Sequence, residues 1–117
     1  MRDFRKLKVW EKAHAITLKI YKVTEKYPRE ELYGLTSQIR RACVSIPTNI
    51  AEGCVRSSDA DFSRFLYIAL GSTSELEYLI LLSMDLKFIN AELHIELNNE
   101  INEIKKMLIS MIQKLKA

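Results

Sequence analysis

Apolar residues recur at three- and four-residue steps along nearly the whole chain, which is the spacing of helices with one buried side. The pattern predicts helices over residues 8–26, 36–53, 58–87 and 91–115, and no segment alternates as a β-strand would. Short connections favour antiparallel neighbours, so the expected fold is all-α, an up-down-up-down four-helix bundle forming one domain over residues 1–117. The predicted core residues are Ile16, Ile20, Ile46, Leu66, Ala69, Leu76, Ile104 and Leu108.

Individual residues mark the expected ends of these helices. Pro28 ends the first helix, because the residue before a proline avoids the helical conformation. Ser58 and Asn90 are expected to cap the N-termini of the third and fourth helices, and Gly53 the C-terminus of the second. Pro47 lies inside the second helix, where it removes one backbone hydrogen bond and predicts a kink.

The second predicted helix carries two stripes of different chemistry. Its apolar stripe consists of Ile39, Ala42, Ile46 and Ile50. The polar stripe beside it consists of Gln38, Arg41, Ser45, Asn49 and Glu52. These short, mixed donors and acceptors favour a fixed hydrogen-bond network at an interface. The alternative is an ordinary solvated face of chance composition.

The third predicted helix is apolar around most of its circumference. One stripe, needed for the core, consists of Phe62, Leu66, Ala69, Thr73, Leu76 and Ile80. A second, rotated by about 100°, consists of Tyr67, Leu70, Ser74, Tyr78, Leu81 and Phe88. Three neighbours in a small bundle cannot cover every side, so an exposed patch and self-association are expected. The alternative is that the connector 28–35 covers this helix at the bundle centre.

Three segments carry a resemblance to a known family. Residues 38–53 read Gln-x-Arg-Arg-Ala-x-x-Ser-Ile-x-x-Asn-Ile-Ala-Glu-Gly, residues 62–76 form a second block, and residues 4–13 read Phe-x-x-Leu-x-Val-Trp-x-x-Ala. They resemble the four helix bundle proteins encoded in intervening sequences of bacterial 23S rRNA genes. The resemblance implies a four-helix bundle that assembles as a ring-shaped homopentamer. The family is also similar to the accessory protein of diversity-generating retroelements, a basic pentamer that binds nucleic acid and a reverse transcriptase.

The first predicted partner is therefore a second copy of the chain. We expect the polar stripe of the second helix to face polar residues of the third, because their opposite charges and matched donors suit each other. The predicted subunit-interface residues are Gln38, Arg41, Ser45, Asn49, Glu52, Arg64, Ser72 and Glu75.

The net charge of +3 is distributed unevenly. Residues 1–41 hold eleven Lys or Arg and five Asp or Glu, a net +6, whereas residues 42–117 hold seven and ten, a net −3. The basic N-terminal segment and first helix predict weak, sequence-independent binding of RNA or DNA. The predicted nucleic-acid-binding residues are Arg2, Arg5, Lys6, Lys8, Lys12, Lys19, Lys22 and Lys26. The alternative is a solubilising lysine face.

No motif indicates a catalytic site, a metal or a cofactor. Di-iron bundles need two Glu-x-x-His pairs, and only Glu11-x-x-His14 has that spacing, since no glutamate stands three residues before His94. Cys43 and Cys54 are about 16 Å apart along a helix, too far for a disulfide and without the spacing of zinc ligands. The three glycines stand alone and form no phosphate-binding loop.

Three functions remain open. In order of preference, they are a non-enzymatic oligomeric scaffold for nucleic acid, an interaction module that holds a partner enzyme without touching nucleic acid, and a small helical enzyme. No apolar run approaches the roughly 20 residues of a membrane-spanning helix, and the N-terminus is charged from Arg2 onward. We therefore expect a cytoplasmic protein with reduced thiols and no membrane partner.

Overall fold

The computed structural model describes residues 1–116, and within them the regular structure is entirely helical. The four helices are α1 (Lys8–Thr24), α2 (Leu35–Cys54), α3 (Asp59–Asp85) and α4 (Ala91–Lys116). Short 3-10 turns precede α1 and lie in the connector between α1 and α2. These helices confirm the all-α prediction, and their ends differ from the predicted ones by at most two residues.

The capping residues predicted for the last two helices are confirmed. Ser58 Oγ accepts a hydrogen bond of 3.1 Å from the backbone N–H of Asp61, and Asn90 Oδ1 accepts one of 2.8 Å from the N–H of Leu93. Each cap satisfies one of the amide groups that the first turn of a helix leaves without a partner.

The predicted role of Gly53 as a C-terminal cap is wrong. Gly53 lies inside α2, which ends one residue later at Cys54, and its φ is not positive. A Cβ atom at this position would lie 2.9 Å from Phe62 Cδ1 and 2.9 Å from Phe65 Cβ. Glycine is therefore required here because α3 packs directly on the α2 backbone.

The core forms where the apolar stripes of the four helices meet. α2 contacts α1 and α3, and α4 contacts α3 and α1. All the predicted core residues are buried, as are the aliphatic side chains of the predicted α2 stripe. The periodicity therefore identified the inward side of each helix correctly.

The composition of α3 is unusually apolar, and the core buries only part of this helix. This helix is long and apolar enough by composition to span a membrane, with a mean hydropathy of 1.3 over its most apolar window. In this structure the same helix packs between α2 and α4, with Phe62, Leu66 and Leu76 fully buried. Core helices of soluble proteins can be equally long and apolar, so length and composition alone are weak evidence for a membrane span.

Candidate functional site

Of the two N-terminal arginines, only Arg2 is held against the bundle. The backbone N–H of Arg2 donates to the Cys54 carbonyl at 2.9 Å, and its guanidinium pairs with Asp59 at 2.9 Å and lies 4.2 Å from the centre of the Phe62 ring. Arg5 lies 3.7 Å from an acidic neighbour and packs over an aromatic ring. The contacts of Arg2 attach the N-terminal segment to the start of α3, whereas the contacts of Arg5 lie within that segment and leave its side chain 71% exposed.

Two of the predicted phosphate-binding lysines bridge α1 to α4. Lys12 pairs with Glu103 at 2.7 Å, and Lys19 pairs with both Glu96 and Glu100, the latter at 2.9 Å. The hydrogen bond that Lys12 donates to Glu103 raises the pKa of Lys12, and the one that Lys19 donates to Glu96 raises the pKa of Lys19. Both lysines therefore stay charged at neutral pH, but carboxylates of the same chain neutralise them.

The remaining predicted basic residues are Lys6, Lys8, Lys22 and Lys26. All four are exposed, and none forms an ion pair within residues 1–116. Lys8 and Lys22 are separated by about 21 Å along α1, at a rise of 1.5 Å per residue. The structure thus divides the predicted basic face into two small groups at opposite ends of α1.

A third group of cations was not foreseen from the sequence. Arg40 and Arg41 lie beside Tyr21 and Tyr33 around an open pocket of about 470 Å³ on the α1–α2 side of the molecule. These side chains come from α1, the connector and α2, so no local motif could have brought them together. The one feature of the sequence that could have indicated this pocket is Tyr33, an aromatic residue that belongs to none of the predicted apolar stripes.

The polar stripe of α2 makes part of its network within the chain. Ser45 Oγ lies 2.8 Å from Ser72 Oγ of α3, and Asn49 Nδ2 donates to the hydroxyl and the carbonyl of Ser45 at 2.9 and 2.8 Å. All three side chains are partly buried in the groove between α2 and α3. The network fixes the packing of these two helices and leaves only part of its polar surface for another molecule.

The charged members of the predicted interface remain exposed on either side of this network. On α2 these are Arg41 and Glu52, and on α3 they are Arg64 and Glu75. Gln38 is exposed as well. Arg64 is partly engaged, since its Nε donates to an aspartate one turn earlier at 3.1 Å. The surface thus presents both signs of charge around a partly buried polar centre.

The predicted apolar patch on α3 is confirmed in part, because Leu70 and Phe88 of the predicted stripe pack against the core. Tyr78 is 58% exposed and Leu81 is 42% exposed, and Tyr67 continues the same side of the helix. Tyr78 and Leu81 also line a pocket of about 390 Å³ between α3 and α4. The alternative, in which the connector 28–35 covers α3, is wrong because the described turn in that connector contacts α2.

The two thiols and His14 occupy ordinary structural positions, whereas His94 lines the pocket between α3 and α4. Cys43 and Cys54 are buried, free thiols, and burial raises the pKa of Cys43 to about 11. His14 stacks on Trp10, with ring centroids 5.0 Å apart. Among the residues that the structure describes, no three His, Cys, Asp or Glu side chains converge as a metal site. A thiol with so high a pKa is not an activated nucleophile.

Comparison with known proteins places this geometry in a family. Residues 5–110 match the 23S rRNA-intervening sequence protein family. The structure is similar to a crystal structure from Bacteroides thetaiotaomicron VPI-5482, of a protein with unknown function from the S23 ribosomal protein family. The two chains are 34% identical, with a TM-score of 0.80 over 89% of this chain and 97% of the other. No curated protein matches significantly. Because the family match covers most of the chain and reaches all four helices, the chain belongs to the 23S rRNA-intervening sequence protein family.

Proposed function

We propose that the protein is a non-enzymatic, cytoplasmic homo-oligomeric scaffold that binds nucleic acid weakly and without sequence specificity. The observation that carries this proposal is the combination of an unpartnered apolar face on α3 with lysines that no carboxylate of the described chain neutralises. Burial raises the pKa of the Cys43 thiol, and His14 is stacked on Trp10, which favours a binding role over catalysis.

The scaffold unit is an up-down-up-down bundle. Contacts between α1 and α4 support this topology, because Lys12 pairs with Glu103 whereas Lys19, further along α1, pairs with the earlier Glu96. α2 and α3 also run in opposite directions, because Ser45 contacts Ser72 whereas Gly53, later in α2, packs on Phe62, earlier in α3.

The α3 face is proposed to bind a second copy of the chain. Charge complementarity supports this occupant, because exposed Arg41 and Glu52 on α2 match exposed Glu75 and Arg64 on α3 in sign and chemistry. The proposed contact is heterologous, with the α2 stripe of one copy against the α3 face of the next. Heterologous contacts close into rings when the rotation permits, and the family resemblance implies five copies.

The ring converts weak phosphate contacts into measurable affinity. Each subunit offers Lys6 and Lys8 at one end of α1 and Lys22 and Lys26 at the other, and every copy repeats them. Multivalency raises the combined affinity without new contacts. Because binding releases counterions, the affinity falls as salt rises and depends little on sequence.

A titration of mixed-sequence RNA and duplex DNA at two salt concentrations tests this function. The double variant Lys22→Glu/Lys26→Glu is expected to weaken binding and flatten the salt dependence. The matched control is Lys106→Glu/Lys114→Glu, which makes the same charge change at exposed lysines of α4 and leaves the proposed sites intact. Equal losses of affinity in the two variants would show that the effect depends on net charge and not on the position of the lysines.

The pocket between α3 and α4 favours a second candidate function. Tyr78 and Leu81 give this pocket an apolar wall that could receive a partner protein, for example a reverse transcriptase. In that case the scaffold holds an enzyme and never contacts nucleic acid. Absence of any RNA or DNA binding by the isolated protein at low salt would favour this function over the first.

A further inference from the structure

The pocket on the α1–α2 side combines exposed aromatic rings with cations. Tyr33 is 94% exposed at the end of the connector, and Tyr21 on α1 is 41% exposed. Arg40 and Arg41 of α2 line the same pocket of about 470 Å³, and no carboxylate of the described residues appears in its lining. Exposing Tyr33 so fully contributes nothing to the core, so its ring is available to a ligand.

Arg40 is held in place before any ligand arrives. Its Nε donates to Thr24 Oγ1 at 2.9 Å, its Nη2 reaches the Tyr21 carbonyl at 3.4 Å, and its guanidinium lies 4.8 Å from the centre of the Tyr21 ring. Thr24 is fixed in turn by a 2.7 Å hydrogen bond to the carbonyl of Ile20. An arginine fixed in this way loses little side-chain entropy on binding an anion.

We propose that this pocket binds an unpaired base of a single-stranded nucleic acid, stacked on Tyr33, with an adjacent phosphate on Arg40. Aromatic platforms flanked by cations bind single strands because every base has a π face and every nucleotide has a phosphate. A base inside a duplex is already stacked on both sides and cannot enter the pocket. This inference rests on the proposed nucleic-acid binding and adds the class of ligand and the residue that selects it.

The test compares two single strands with the same number of phosphates, an oligothymidylate and an abasic oligomer, at one low salt concentration. The protein is expected to bind the oligothymidylate at least about fivefold more tightly, since base–aromatic stacking supplies that much per base. Tyr33→Ala should abolish the difference by weakening oligothymidylate binding alone. Tyr33→Phe keeps the ring and should keep the difference, and the mass of each variant in solution is measured alongside.

Each remaining outcome overturns the inference in a distinguishable way. Equal binding of the two strands by the unmodified protein removes the base-binding pocket but leaves phosphate binding intact. No binding of either strand removes the proposed function and the pocket together. A fall in oligomer mass on Tyr33→Ala assigns the pocket to a contact with a second copy of the chain.

Discussion

The hydroxyl oxygen of Thr17 on α1 lies 3.4 Å from the backbone carbonyl of Cys43 on α2. That carbonyl is the acceptor that the residue four positions later would normally engage, and the residue there is Pro47, which has no N–H. The single hydroxyl proton of Thr17 is shared with the Ala13 carbonyl of its own helix, which is closer at 2.7 Å. The neighbouring helix thus supplies the weaker branch of a shared hydrogen bond where the proline removes a donor, within the contact between α1 and α2.

Replacing Thr17 by Val should lower the free energy of unfolding by about 1 kcal/mol, because it leaves the Cys43 carbonyl without a donor. The same change in a Pro47→Ala background should cost less, since an alanine in place of the proline supplies the missing N–H. Urea denaturation of the four proteins in the cycle measures this coupling. Thr17→Ser retains the hydroxyl and is the control, and an identical cost of Thr17→Val in both backgrounds would contradict the assignment.

Two glycines should respond to alanine with opposite signs. Gly53→Ala is expected to destabilise the protein by about 1–3 kcal/mol, because the new methyl group meets Phe62 and Phe65 at 2.9 Å. Gly71→Ala has open space around it and should stabilise the helix by about 0.5–1 kcal/mol. Thermal unfolding at matched concentration distinguishes the two, and a stabilising Gly53→Ala would show that α3 does not pack on the α2 backbone.

The end of α3 offers a stabilising substitution. Lys87 has a φ of 66°, and the N–H of the next residue, Phe88, donates to the Ser83 carbonyl at 2.9 Å. This is a helix C-terminus at which glycine is favoured, since a Cβ in the left-handed region costs about 1 kcal/mol or more. Lys87→Gly should therefore raise the free energy of unfolding by about that amount. Lys87→Ala keeps the Cβ and should gain nothing, so equal effects of the two changes would argue against the strained conformation.

Truncation in the core should be far more costly than truncation at the surface. Leu76→Ala and Ile104→Ala remove side chains that are 0% and 1% exposed, and each should cost about 2–5 kcal/mol. Ile109, on the same helix as Ile104 but 39% exposed, is the matched control, and its truncation should cost well under half as much. Denaturant unfolding measures all three, and losses below about 0.5 kcal/mol at both core sites would exclude the observed packing.

The parts of this structure that depend on helical periodicity could be predicted from the sequence. Ile16 and Leu108 are buried because an apolar residue in a regular stripe has one side of the helix to occupy, whatever its neighbours are. Ser58 and Asn90 cap their helices through bonds that span only three residues, which are local in sequence. The exposed apolar side of α3 could also be predicted, because this helix has more apolar surface than its neighbours in a small bundle can cover.

The features of the structure that depend on which helices are neighbours could not be predicted from periodicity. Gly53 has the local features of a helix end, and only the position of Phe62 shows that it lies inside α2. Lys12 and Lys19 share a face with other lysines, but carboxylates of α4, distant along the chain, neutralise them. Ser45 and Ser72 were both recognised as polar interface residues, yet they bind each other within one chain.

The central claim is that the bundle is a subunit of a closed homo-oligomer, and sedimentation equilibrium at micromolar concentration tests it most directly. The account predicts a single species whose mass does not change with concentration, about 68 kDa for five copies of the 13.6 kDa chain. Glu75→Arg should dissociate it, because the change places a like charge opposite Arg41 of the neighbouring copy in the proposed contact. A closed tetramer or hexamer would change only the number of copies, whereas a stable species of 13.6 kDa would contradict the claim.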